Sequence, residues 1–111
     1  MQEPLTIAFL GDVNGAPGRK VLGQRLPDLR EEHRPDVIIA NGESIRSGSG
    51  INPDQYAWLR KQGVDGVTLG DHVFRDQKIL PQLDDPAEPI ARPANLSDSA
   101  AGKRMIRIDL P

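Results

Sequence analysis

Three short apolar runs constrain this chain most, because each closes on a glycine beside an acidic residue. Residues 5–10 run into Gly11-Asp12, residues 36–40 into Asn41-Gly42-Glu43, and residues 64–69 into Gly70-Asp71. Near-continuous apolar runs of this length suit strands covered on both faces of a parallel sheet. The intervening segments read as helices. One is expected over about 19–34, with a kink or break near Leu26 because Pro27 follows it. A second begins at Asn52-Pro53, an N-cap followed by proline at the first helical position, and ends near Gln62 with Gly63 closing it. A short third helix is expected over 76–83. Alternation of strand and helix predicts an α/β fold with a mainly parallel sheet and right-handed crossovers. Pro86, Pro89 and Pro93 divide the remainder into extended pieces, with a fourth strand expected at 89–91 and a fifth at 105–110.

The repeated exits have a chemical consequence. In open parallel sheets, ligands bind outside the carboxyl ends of the strands. If these strands are neighbours, Asp12, Glu43 and Asp71 converge on one rim. Two carboxylates about 4 Å apart repel by roughly 4 kcal/mol at an effective dielectric of 20. A bound divalent cation removes that conflict, and carboxylate oxygens are suitable ligands for one. His72, directly after Asp71, can supply a metal nitrogen or deliver a proton near neutral pH.

Other motifs narrow the chemistry. The turn from Gly11 to Gly18 is spaced Gly-x-x-x-Gly-x-x-Gly. It is neither the dinucleotide fingerprint nor a P-loop. No Gly-x-Ser-x-Gly elbow is present. Asn14 within that turn is a candidate substrate-binding residue, as are Arg92 and Asn95 of Arg92-Pro93-Ala94-Asn95. The arginine could steer a phosphate, although proline and asparagine also make this segment a natural turn. His33 reads as a favourable charge at a helix C-terminus. Tyr56, Trp58, Leu59 and Ile51 read as packing residues.

A length of 111 residues favours one domain, 1–111. The net charge of -2 gives no footprint for nucleic acid or an anionic membrane. With no cysteine, thiolate metal sites and disulfides are excluded, which fits a reducing compartment. The first apolar run is short and has no basic leader, and no stretch approaches the roughly 20 apolar residues of a membrane span. A cytoplasmic location without membrane partners is the expectation.

Taken together, these motifs resemble one family. The run from Ile7 to Gly15 with Pro17-Gly18-Arg19 resembles the opening of the YmdB-like metallophosphoesterases, within the calcineurin-like phosphoesterase superfamily. Pro35-Asp36 through Asn41-Gly42-Glu43 is similar to that family's second strand and its Asn-Gly-Glu-Asn loop. Gly63-Val64-Asp65 through Gly70-Asp71-His72 is similar to its third strand and Gly-Asn-His exit, and Arg92-Pro93-Ala94-Asn95 to a further segment. The resemblance implies a layered α/β/α fold, of which this chain is the N-terminal half. It implies a two-metal phosphodiesterase site, commonly iron or manganese, acting on cyclic nucleotides or other phosphodiesters. Asp12 and Glu43 would be metal ligands, Glu43 bridging, and Asp71 a third; His72 would protonate the leaving group.

Ser44 stands where the family has an asparagine ligand, and Asp71 where it has another asparagine. The family's later histidine ligands have no counterpart, since only His33 and His72 exist. An incomplete dimetal site, weak metal binding and little turnover are therefore expected of the chain alone. Two alternatives stay open: a metal- or nucleotide-binding module without turnover, and a fragment completed by self-association into a homo-oligomer.

Overall fold

A computed structural model describes residues 4–111. The elements run β1 (Ile7–Asp12), α1 (Gly15–His33), β2 (Val37–Asn41), α2 (Pro53–Lys61), β3 (Gly66–Thr68), a 3₁₀ turn (Gln77–Ile79), α3 (Leu80–Asp84) and β4 (Ile90–Ala91). The four strands form one sheet in the order β1-β2-β3-β4, parallel at every pairing. Parallel neighbours need crossovers, and helical segments make them here. The chain thus has the expected layered α/β/α class of fold on a parallel sheet, with all strand exits on one side.

Local chemistry explains the element ends. The Asn52 side chain accepts from Gln55 N at 2.8 Å, while Asn52 N donates to Gln55 Oε1 at 3.0 Å. This reciprocal box, with Pro53 behind it, starts α2 where the sequence indicates. Asp76 caps the 3₁₀ turn by accepting from Lys78 N at 3.0 Å. α1 begins earlier than expected, at Gly15, and ends with Arg34 in the left-handed region.

Of the kink or break expected near Leu26, the break does not occur: α1 continues through Pro27 to His33. Leu22 and Leu26 lie one turn apart and are both buried in the core, so packing ties the helix down up to the proline. Pro27 itself is on the exposed side. The carbonyl its ring would crowd belongs to Gly23.

The core joins Ile45, Ile51, Leu59, Val64, Val67, Ile79, Leu83 and Ile90, all fully buried, to Leu22, Leu26 and Ile38. Trp58 packs against it, part-buried. The fifth strand expected at 105–110 is absent. Its alternation is nonetheless expressed in burial. Ile106 and Ile108 are half-buried and close over Gly66 together with Ile39, while Met105 is 78% exposed. The segment supplies side chains to the sheet without joining its ladder.

The two sheet edges differ. Beyond β4, Arg92 N donates to Lys103 O and Lys103 N to Leu83 O, both at 2.9 Å. Lys103 Nζ donates to Gln82 O and Leu83 O at 3.0 Å, and burial pushes its ammonium below the usual lysine range. The β1 edge has no such cover among the described residues. Leu5, Ile7 and Phe9 are 56%, 56% and 62% exposed there.

Candidate metal centre

β2 and β3 deliver the site. At the β2 exit, Gly42 N donates to Thr68 O at 2.9 Å, and Glu43 N donates to Asn41 Oδ1 at 3.2 Å. The loop then folds back: Gly50 N donates to Glu43 O at 2.5 Å, and Gly48 N to Ser44 O at 2.9 Å. Gly48 and Gly50 have φ of 87° and 90°, a left-handed backbone that favours glycine. Gly50 also lies against the β3 exit loop, where a Cβ on it would stand 2.9 Å from Arg75 Cβ. Arg46 Nε and Asp76 Oδ2, 3.4 Å apart, bridge the same two loops.

These loops bring Glu43, Asp71 and His72 together. Each offers a ligand atom, and the three atoms lie within 4.8 Å of one another. His72 Nδ1 is 3.8 Å from Glu43 Oε2 and 3.7 Å from Asp71 Oδ1, too long for hydrogen bonds. Glu43 Oε2 and His72 Nδ1 are both buried and neither has a hydrogen-bond partner. Leaving such groups unsatisfied costs about 1–3 kcal/mol each, more for a charged group. A divalent cation would satisfy both atoms, and carboxylate with imidazole is a donor set that manganese, iron and zinc accept. Asp71 is open to solvent at 86%, so the group is an open cluster rather than a closed cage.

Asp12 does not join this group. It is exposed at the β1 exit, where the β1–β2 register is irregular between Leu10 and Asp12. With Asn14 it borders a groove of about 710 Å³ between β1 and α1, whose walls include Leu10, Val13, Val21 and Leu22. Asn14 is the N-cap of α1, but its side chain makes no cap hydrogen bond. Ser44 is buried, with its carbonyl accepting from Gly15 N and Gly48 N.

Arg92 is 4% exposed and faces the β4 edge cover. Its guanidinium donates to Gly102 O at 3.1 Å, Pro93 O at 2.8 Å and Ser97 O at 3.2 Å. Asn95 is exposed in the same loop. His33 is exposed at the end of α1, 3.8 Å from Glu32. The Arg46–Asp76 bridge is not legible in the sequence, because nothing local relates two loop residues 30 positions apart. The glycines at 48 and 50 are the available signal.

Parallel strands with an acidic and imidazole cluster at adjacent exits fit the class of metallophosphoesterase-like α/β folds. More narrowly, the profile of the YmdB-like protein family matches residues 8–111, and the chain belongs to that family. It is 34% identical over 99 residues to a 2',3'-cyclic-nucleotide 2'-phosphodiesterase of Bacillus subtilis (strain 168), covering 89% of this chain and 37% of that protein. The crystal structure of a hypothetical protein from Thermus thermophilus superimposes with a TM-score of 0.86 at 37% identity, covering 96% of this chain and 40% of that one. The structure of a novel phosphatase from Mycoplasma pneumoniae gives 0.82 at 30% identity, covering 93% and 38%. The chain therefore spans about two-fifths of the length of these relatives.

Proposed function

We propose that this chain carries part of the catalytic centre of a metal-dependent phosphodiesterase acting on a phosphodiester such as a cyclic nucleotide. The observation behind this reading is the pair of buried, unpartnered atoms Glu43 Oε2 and His72 Nδ1, 3.8 Å apart at adjacent strand exits. Similarity to the Bacillus phosphodiesterase supports the substrate class.

Glu43, Asp71 and His72 are the residues that would hold a divalent ion, iron or manganese by the family's habit. Such an ion supplies Lewis-acid polarisation of a phosphoryl oxygen. The Glu43 main-chain carbonyl accepts from Gly50 N, which fixes the loop that carries the side chain. Asp71, exposed beside it, adds a second carboxylate but also negative charge that opposes an anionic substrate. His72 presents an imidazole to the same spot, and we assign it one of two exclusive roles: Nδ1 on the ion or, unbound, the proton for the departing oxygen, worth about 10²–10⁴ in rate. Asp12 is the candidate ligand for a second ion, with Asn14 beside it as a substrate contact; Ser44, Arg92 and Asn95 are weaker candidates by their placement. We place the protein in the cytoplasm; among the described residues no helix is long and apolar enough to cross a membrane.

The test is calorimetric titration with Mn²⁺, followed by Mn²⁺-dependent hydrolysis of a chromogenic phosphodiester. Wild type should bind measurably, and Glu43→Gln should weaken binding by about tenfold or more, equivalent to about 1.4 kcal/mol. Turnover of the chain alone should stay well below the roughly 10 s⁻¹ typical of enzymes. Equal Mn²⁺ affinity in wild type and Glu43→Gln would refute the assignment.

A further inference from the structure

Of the glycines at the three strand exits, Gly70 is there for space rather than for backbone freedom. Its φ is not among the positive values that Gly48, Gly50 and Gly63 adopt. An alanine could therefore follow its backbone path. The three heavy atoms nearest to where a Cβ would stand are Glu43 Oε2, Oε1 and Cδ, and all three would overlap it. Gly42 contrasts with this: a Cβ there would meet Val67 and Ile51 in the core, at 3.0 and 3.1 Å. A side chain at 42 would disturb packing. At 70 the three atoms it would meet first are all at the tip of a flexible glutamate.

We propose that Gly70 is a positioning residue: the missing side chain is the slot in which the Glu43 carboxylate lies, which sets Oε2 against His72 Nδ1. This rests on the metal-site reading above and deepens it. No hydrogen bond holds Oε2 there, since it has no partner among the described residues. A methyl group at 70 fills the slot and turns Glu43 away from His72. The fold has little reason to change, because what must move is the far end of one side chain and not the backbone.

The test is a double-mutant cycle read by Mn²⁺ affinity and by NMR. Gly70→Ala should weaken Mn²⁺ binding by about tenfold or more, with thermal unfolding close to wild type. Glu43→Asp shortens the side chain by one methylene and withdraws it from the slot. In that background Gly70→Ala should change affinity by less than about threefold, the non-additivity expected of residues in contact. The imidazole ¹⁵N shifts of His72, one of only two histidines, give a second readout without metal. They should move in Gly70→Ala and stay fixed when Gly70→Ala is added to Glu43→Asp.

Undiminished affinity in Gly70→Ala, or an equal loss in both backgrounds, overturns the proposal. Wild type that fails to bind Mn²⁺ refutes the metal reading instead. The imidazole shifts then decide alone whether Gly70 positions the carboxylate: unmoved shifts overturn that too.

Discussion

Tyr56 is the only tyrosine, 4% exposed, and its hydroxyl donates to Glu88 Oε2 at 2.7 Å. Burial first, and then the bond to Glu88, push its phenol well above the ordinary value of 10.0. The native state therefore holds the proton at pH values where the unfolded chain has released it. The stabilisation is complete below about pH 10 and declines as pH rises above it. Phenolate absorbance, which only this residue contributes, should not develop until the protein unfolds. Tyr56→Phe should cost about 1.5–3 kcal/mol at neutral pH, as loss of a hydrogen bond to a charged group does. It should also flatten the alkaline fall in melting temperature. A normal phenol titration in the folded protein would contradict this. Arg92 makes a second residue-scale case. With three backbone carbonyls on its guanidinium, Arg92→Met should destabilise by about 2 kcal/mol or more, because those acceptors are left unpaired. Mn²⁺ affinity should stay unchanged. The sequence does not show this, because the acceptors are main-chain oxygens fixed only by the loop's final path.

At the scale of elements, features made by chain neighbours are legible in the sequence. Asn52-Pro53 and Gly63 bracket α2, since caps are made by residues adjacent in the chain. Asn52→Ala should cost about 1 kcal/mol by removing that cap, checked by urea unfolding with an unchanged slope. Apolar runs locate the first three strands and the proline-divided segment at 89–91 the fourth, though β1 is set two residues later than expected. The failures involve neighbours that the sequence does not name. Residues 105–110 alternate as a strand would, yet the requirement that Ile106 and Ile108 cover Gly66 satisfies that pattern without a ladder. Proline argues for a break in α1, and the burial of Leu22 and Leu26 overrides it. The candidate site divides along the same line. Glu43, Asp71 and His72 are legible because β2 and β3 pair in register and their exits coincide. An identical motif groups Asp12 with them, but the register irregularity before it is a property of the β1–β2 pair and has no signature in a Gly-Asp dipeptide.

For the molecule as a whole, the unequal sheet edges matter most. The β4 side is sealed by the loop through Lys103, so among the described residues only the β1 edge offers free backbone groups beside apolar side chains. Leu5, Ile7 and Phe9, alternate residues on one side of that strand, are each more than half exposed, and the run from Leu5 to Leu10 contains no charge. Natural edges are blunted by lysine, proline or a covering element, and an apolar uncharged edge pairs readily with another strand. In a solution of this chain alone, the strand available to pair with that edge is β1 of a second copy. Because one edge is closed, pairing β1 with β1 about a twofold axis ends at a dimer and does not propagate. The sedimentation mass should therefore rise from monomer towards dimer with concentration and go no further. Phe9→Lys, which places a charge on the edge, should hold the chain monomeric while leaving Mn²⁺ affinity at Glu43 and His72 as it was. A monomer at every concentration, with apolar dye binding undiminished, would mean that this edge is reserved for a different polypeptide.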